Sequence, residues 1–134
     1  MNIETPIKTD RKRIFVVDDE VQDTQLLKAF LERNEYVVRE ENDSSAALAA
    51  AEEFNPDLIL LDVMMPEIDG GELAARFKAN PKFKGIPIVF LTSKITKQEA
   101  DLCGGRIGKY RFLAKPIVLS EVLTCVQQHL RGAG

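Results

Sequence analysis

Residues 58–70 have the sequence LILLDVMMPEIDG, and this stretch decides the fold. Four aliphatic residues run without interruption into one carboxylate, Asp62, and turn-forming residues follow. An apolar run of this length is typical of a strand that is buried on both faces of a parallel sheet. Asp62 is therefore expected at the carboxyl edge of the sheet, where open α/β sheets bind their ligands.

The alternation of strand and helix recurs along the chain. Further strands are predicted at 13–17, 36–38, 86–91 and 110–113. The five strands recur roughly every 22 to 29 residues, which leaves room for one crossover helix in each connection. We expect an α/β fold with a five-stranded parallel sheet, in the order 2-1-3-4-5, flanked by five helices in a doubly wound arrangement.

Length and composition indicate one soluble domain. Residues 11–131 are predicted to form it, between a flexible lead-in at 1–10 and a short tail at 132–134. The net charge of −3 offers no basic surface for nucleic acid. No apolar stretch approaches the ~20 residues of a membrane helix, and no signal peptide is visible. Two cysteines without metal-type spacing predict a reduced, cytoplasmic protein, and the lack of an apolar span predicts no membrane contact.

Functional groups follow four of the predicted strands at their carboxyl ends. They are Asp18 and Asp19 after the first strand, Asp62 at the third, Thr92 at the fourth and Lys115 after the fifth. The first and third strands are neighbours in a doubly wound sheet, so the three acids should converge and repel one another unless a cation joins them. Oxygen ligands without His or Cys favour a hard divalent ion, most simply Mg²⁺. A lysine and a hydroxyl beside that ion suit a phosphoryl group, with Asp62 as its nucleophile.

Each of these features alone has an ordinary structural explanation. Asp18 or Asp19 can cap the first helix, Thr92 can cap the following turn, and Lys115 can be a surface charge. The pair Asp69-Gly70 is typical of a turn into the third helix. The phosphoryl-transfer interpretation depends on finding these groups together at one end of the sheet.

The pattern resembles the receiver domain of two-component response regulators, a chemotaxis-regulator-like and flavodoxin-like fold, across residues 11–131. The resemblance rests on Asp18-Asp19, the stretch 62–70, Thr92-Ser93 and Lys115-Pro116. It implies that Asp62 accepts a phosphoryl group from a sensor histidine kinase or a phosphotransfer protein. It also implies a signalling module that promotes only its own phosphorylation and dephosphorylation, and not an enzyme.

The resemblance assigns a role to each group around the phosphoacceptor. Asp19 and Asp62 would bind Mg²⁺ directly, helped by the backbone carbonyl of Met64. Asp18 would act mainly through bound water, and Lys115 would pair with the phosphoryl group.

A conformational switch is also implied by the resemblance. Thr92 would move to bond the phosphoryl group, because phosphorylation adds a charge near −2 beside it. Phe112, at the aromatic switch position, would then turn inward and change the contacts made with a downstream output protein or domain. The ordinary alternative for Phe112 is an aromatic residue of the strand core.

The segment before the last strand departs from the family pattern. Thr96 and Glu99 have the form of a capping box for a short fourth helix, and Gly104–Gly108 is predicted to be an irregular, mobile connection near the partner face. Its glycines precede a strand, whereas a phosphate-binding loop follows one. In the family that the chain resembles, the residues two positions after the phosphoacceptor and two after the threonine affect how readily water attacks the acyl phosphate. Here they are Met64 and Lys94, which offer no acid or carboxamide to orient that water, so the resemblance implies fairly slow self-dephosphorylation.

Other functions are distinguished by single positions. An aspartyl phosphatase needs an acid two residues after its nucleophile, where this chain has Met64. A flavodoxin-like cofactor carrier needs a Ser/Thr/Gly-rich loop after the first strand, where Asp18-Asp19-Glu20 would repel phosphate. A non-phosphorylated, interaction-only receiver would lack one of the key side chains, and all are present. Whether the receiver stands alone or is a fragment of a longer multidomain regulator stays open.

Overall fold

A computed structural model of the chain describes residues 11–93, 106–107 and 110–131. Its strands are β1 (Arg13–Val17), β2 (Val37–Glu41), β3 (Leu58–Asp62), β4 (Ile88–Thr92), β5 (Arg106–Ile107) and β6 (Tyr110–Ala114). Its described helices are α1 (Val21–Arg33), α2 (Ala47–Phe54), α3 (Gly70–Ala79) and α4 (Leu119–Arg131), with a 3-10 turn at Ser44–Ala46 before α2. Among these helices, none is both long and apolar enough to cross a membrane.

The predicted strand order is confirmed. One sheet contains all the strands in the order β2-β1-β3-β4-β6-β5, and every pairing among β1, β2, β3, β4 and β6 is parallel. The predicted fifth strand is β6. The predicted fourth helix at Thr96, together with Lys94 and the two terminal segments 1–10 and 132–134, lies outside the described residues.

The short strand β5 was not predicted. It pairs antiparallel with β6, and Arg106 lies opposite Arg111. The prediction of an irregular connection at Gly104–Gly108 is therefore wrong for Arg106 and Ile107. Without β5, the backbone groups on the outer side of β6 would form an open sheet edge, and this pairing satisfies some of them.

The sheet separates two hydrophobic cores. On one face, residues such as Phe15, Ile59 and Phe90 pack with α2 and α3. On the other face, residues such as Val16 and Leu60 pack with α1 and α4. All five residues of β3 are buried, which explains why its sequence is apolar without alternation. Each buried aliphatic side chain contributes roughly 1.5 to 3 kcal/mol, so β3 holds Asp62 on a rigid base.

Helix α3 begins directly beside the end of β3. Asp69 caps this helix by accepting a hydrogen bond from the backbone N–H of Glu72 at 2.8 Å. The next residue, Gly70, donates its backbone N–H to the carbonyl oxygen of Val63 at 2.8 Å. The predicted turn at Asp69-Gly70 is thus a helix cap that is bonded back to the residue after Asp62.

Candidate functional site

Three carboxylates meet at the carboxyl edge of the sheet. Strands β1 and β3 are neighbours, so Asp18 emerges beside Asp62. Asp18, Asp19 and Asp62 each place a carboxylate oxygen within 4.8 Å of the others. Asp18 and Asp62 are buried, whereas Asp19 lies toward solvent. The structure therefore brings together the three acids that the sequence predicted to converge.

The buried setting changes the acidity of Asp62. Burial raises its pKa to about 7, and the negative charges of Asp18 and Asp19 act in the same direction. The charge of Lys115 and a hydrogen bond from the backbone N–H of Met64 oppose this rise without cancelling it. With no cation present, the carboxyl group is thus partly protonated near neutral pH.

The composition of this cluster fits a magnesium ion. Its three side chains offer only carboxylate oxygens, which are the ligands that hard divalent cations prefer. Burial also raises the pKa of Asp18, although the nearby ammonium of Lys115 and a hydrogen bond from the backbone N–H of Glu20 work against the rise. Two neighbouring acids that resist ionisation are the arrangement that a divalent cation would stabilise.

Lys115 supplies the positive charge of the site. Its Nζ lies 2.8 Å from Asp18 Oδ2, 2.8 Å from Glu20 Oε1, 3.0 Å from Asp23 Oδ2 and 3.5 Å from Asp62 Oδ1. The contact with Asp18 Oδ2 is an ion pair by distance, without the angles of a regular hydrogen bond. Burial acts to lower the pKa of Lys115, but its carboxylate partners outweigh burial and raise it. The ammonium is therefore charged throughout the physiological range.

Thr92 ends β4, the strand next to β3, and Phe112 lies on β6, which pairs with the other side of β4. Thr92 is 2% exposed, and its carbonyl oxygen accepts a hydrogen bond from the backbone N–H of Lys115 at 2.9 Å. Phe112 is half-buried and stacks on Phe90 of the adjacent strand, with ring centroids 5.1 Å apart. Tyr110 packs edge-on against the same Phe90 ring. Phe112 thus belongs to an aromatic cluster that is only partly covered by the described residues.

The loop that follows Asp62 is held in a strained shape by Ser44. The backbone of Glu67 has a φ of 70°, a left-handed conformation that is uncommon for a residue other than glycine or asparagine. On one side of Glu67, the hydroxyl of Ser44 donates to the carbonyl oxygen of Pro66 at 2.8 Å. On the other side, the same hydroxyl accepts from the N–H of Ile68 at 3.1 Å. The buried Ser44 therefore fixes both ends of the strained residue.

A cavity opens beside Asp19, the solvent-facing acid of the cluster. Its volume is about 330 Å³, and it is lined by Asp19, Asn42, Asp43, Ser44, Ser45, Pro66 and Glu67. Asn42 also holds the backbone of the site in place, because its amide donates to the carbonyl oxygen of Asp18 at 2.8 Å and to Thr24 Oγ1 at 2.9 Å. The solvent-facing acid of the cluster is thus reached through an opening with polar walls.

Sequence reasoning missed Glu20, Asp23 and Ser44. For Glu20 and Asp23 a signal was present: they lie three residues apart at the start of α1, so they project to the same side of the helix, directly after the acid pair. For Ser44 no local signal exists, because its partners lie more than twenty residues away and are backbone groups.

Comparison with known proteins agrees with this geometry. The family model for the response regulator receiver domain matches residues 14–127. The transcriptional regulatory protein ResD of Bacillus subtilis is 38% identical over 127 residues, which are 94% of this chain and 51% of ResD. The alkaline phosphatase synthesis transcriptional regulatory protein PhoP of the same species is 39% identical over 121 residues, or 90% of this chain and 49% of PhoP. The chain therefore spans about half the length of these curated relatives.

Solved structures show the same architecture. The chemotaxis protein CheY4 of Vibrio cholerae superposes with a TM-score of 0.75 at 28% identity, covering 88% of this chain and 98% of CheY4. The N-terminal domain of a response regulator receiver protein from Methanoculleus marisnigri gives a TM-score of 0.65 at 32% identity, covering 87% and 94%. With its strand order and its cluster of acids at the sheet edge, this chain belongs to the response regulator receiver domain family, a family of phosphorylation-based two-component signalling.

Proposed function

We propose that Asp62 is the phosphoacceptor of this receiver domain. The observation that carries the proposal is the position of its carboxylate: buried at the end of β3, within 4.8 Å of oxygens of Asp18 and Asp19, and 3.5 Å from the ammonium of Lys115. A nucleophile in this setting has both neighbouring acids, which can hold a metal ion, and a fixed ammonium close to it. This arrangement suits a phosphoryl group, whose charge needs fixed positive partners.

The proposed step is a transfer between two nucleophiles. An oxygen of the ionised Asp62 carboxylate attacks the phosphorus of a phosphohistidine on the donor protein. The new P–O bond forms as the P–N bond breaks, and the imidazole nitrogen keeps the electron pair of the broken bond. Lys115 pairs with the transferred phosphoryl group, since it is already 3.5 Å from the attacking carboxylate. The product is an acyl phosphate on Asp62.

The acids of the cluster would hold Mg²⁺, with Asp19 and Asp62 as direct ligands and Asp18 acting mainly through bound water. The backbone carbonyl of Met64 is proposed as a further ligand. When bound, Mg²⁺ would neutralise charge on the carboxylates and on the phosphoryl oxygens. Lowering the pKa of Asp62 from about 7 would then keep the nucleophile ionised at neutral pH.

Readout is proposed to run through Thr92 and Phe112. A phosphoryl group on Asp62 offers new acceptor oxygens, and Thr92 lies at the end of the strand next to β3. Movement of the Thr92 hydroxyl toward those oxygens would change the space available to the half-buried Phe112 ring. That ring is stacked on Phe90 beside the partly covered edge of the sheet, where a change in its position alters the exposed surface.

The partners are proposed to be proteins. Val21, Met64 and Val118 expose large apolar surface, between 42% and 49% of each residue, and all three lie in segments at the carboxyl edge around Asp62. Exposed apolar groups around a reactive carboxylate suit docking of a sensor histidine kinase or a phosphotransfer protein. Downstream, we propose an output protein or an attached output domain, as expected from relatives about twice as long as this chain. The net charge of −3 argues against nucleic-acid binding through this domain.

The test is incubation with acetyl phosphate and Mg²⁺, followed by intact mass measurement. The wild-type protein should gain one phosphoryl group, and the isosteric variant Asp62→Asn should gain none. The control variant Asp57→Asn removes an acid near the other end of β3 and should label like the wild type. Labelling that persists in Asp62→Asn, or that EDTA does not reduce, would refute the assignment.

A further inference from the structure

Lys115 contacts two acids besides the proposed phosphoacceptor Asp62 and its neighbour Asp18. Its three shortest carboxylate contacts, at 2.8 to 3.0 Å, are to Asp18, Glu20 and Asp23, and the contact to Asp62 is the longest at 3.5 Å. Asp18 belongs to the acid cluster beside Asp62, but Glu20 and Asp23 belong to the start of α1. The Lys115 ammonium is thus closer to the acids at the start of α1 than to the Asp62 carboxylate, on which it is proposed to act.

The contacts with α1 have the features of an ion-pair network. The Lys115 side chain is 10% exposed and that of Asp23 is 27% exposed, so this pair is poorly screened by solvent. Lys115 also donates a hydrogen bond to Glu20 Oε1 at 2.8 Å, and this hydrogen bond lowers the pKa of Glu20. Several carboxylates around one largely buried ammonium are worth more than an isolated surface pair.

We infer that Glu20 and Asp23 are positioning residues that hold Lys115 in a resting place, so that phosphorylation of Asp62 must first draw the ammonium away from α1. This inference rests on the proposed function of Asp62. A phosphoryl group on Asp62 competes with the two helix acids for the same cation. Loss of either acid therefore removes a contact that is stronger before transfer than during it, and such a loss accelerates the chemical step. Asp23 is the more informative residue because it is the less exposed of the two.

The first arm of the test measures the rate of labelling by acetyl phosphate at saturating Mg²⁺. Asp23→Asn should be labelled about three to ten times faster than the wild type, and Glu20→Gln should show a smaller increase. Asp23→Glu keeps the charge and should stay close to the wild-type rate. The control is Glu52→Gln, which neutralises an exposed acid on α2 away from the site and should change the rate less than twofold. Equal acceleration by Glu52→Gln, or none by Asp23→Asn, would overturn the inference.

The second arm needs no phosphorylation. In Mg²⁺-free buffer, urea unfolding of Asp23→Asn, Lys115→Met and the double variant forms a double-mutant cycle. The change in the unfolding equilibrium constant of the double variant should differ at least threefold from the product of the changes in the two single variants. Equality of the two would overturn the inference. Failure of the proposed function is distinguishable, because Asp62→Asn would then be labelled like the wild type while the unfolding cycle still reported the ion pair.

Discussion

A Cβ atom on Gly70 would lie 2.3 Å from the backbone carbonyl oxygen of Asp62. The start of α3 is therefore packed directly against the backbone of the proposed phosphoacceptor. No side chain fits at this position unless the helix or the strand end moves. Real Cβ contacts are never this short, and the clashing atoms are backbone atoms that cannot rotate away.

The first prediction follows from that contact. Gly70→Ala should lower the free energy of unfolding by roughly 2 kcal/mol or more, because either α3 or the end of β3 must shift. The displaced carboxylate should also accept phosphate from acetyl phosphate more slowly. The neighbouring Gly71→Ala is the control, since its added Cβ meets only the Asp69 side chain, at 3.4 Å. Equal unfolding midpoints of the two variants in urea would contradict the packing argument.

A second prediction concerns pH. Asp62 has a folded-state pKa of about 7 against 3.8 for the free side chain, so between these values the folded state binds more protons than the unfolded state. From this group, stability should be highest at the acidic end of the window and fall as pH rises toward 7, by up to about 4 kcal/mol in the absence of divalent ions. Urea titrations at pH 5 and pH 7 measure the slope.

Asp62→Asn should reduce that slope without abolishing it, because the pKa of Asp18 is raised as well. The control is Asp43→Asn: hydrogen bonds from Ser45 lower the pKa of Asp43, so this group does not titrate between pH 5 and pH 7. If the free energy of unfolding of Asp62→Asn changes between pH 5 and pH 7 as much as that of the wild type, burial of the ionised Asp62 carboxylate does not destabilise the fold.

A third prediction concerns Mg²⁺. An ion that binds only the folded acid cluster stabilises it by mass action, by about 2.7 kcal/mol at a hundred times the dissociation constant. Mg²⁺ should therefore raise the thermal unfolding midpoint, and EDTA should reverse the rise. Asp19→Asn should greatly reduce this response, whereas Asp43→Asn, which removes an acid from the wall of the same cavity, should retain it. Equal responses in the two variants would place the ion elsewhere.

A fourth prediction tests the switch. Beryllofluoride is a non-covalent phosphoryl mimic, and adding it with Mg²⁺ should shift the aromatic NMR signals of Phe112 and of Phe90, on which it stacks. Phe77 is the internal control, because it belongs to the same hydrophobic core as Phe90 but packs against Phe83. Thr92→Val keeps the shape of the side chain and removes its hydroxyl, so Phe112 should no longer respond. If Phe112 in Thr92→Val responds as it does in the wild type, the movement of the ring does not depend on the Thr92 hydroxyl.

The fold could be predicted because each element carries its own signal. An unbroken apolar run such as 58–61 requires two covered faces, and the regular spacing of such runs requires crossover helices. The same logic predicted that Asp18, Asp19 and Asp62 would converge, since parallel strands deliver their carboxyl ends to one edge.

Other features depended on contacts that no local pattern reveals. The strand β5 has two residues, too few for an alternation to be visible. Ser44 acts through backbone atoms on a distant loop, and any small polar residue before a helix looks the same in sequence. The distances from Lys115 to Glu20 and Asp23 depend on how the start of α1 lies against the end of β6, which is decided by packing.

The most direct test of the central claim is the chemical identity of the phosphorylated residue. After acetyl phosphate treatment, borohydride reduction converts an aspartyl phosphate to homoserine, which marks the modified position for peptide mass spectrometry. We predict that the mark is found at Asp62 alone. Its appearance at Asp18, Asp19 or Asp69, or on none of the acids while the intact protein carries a phosphoryl group, would contradict the account.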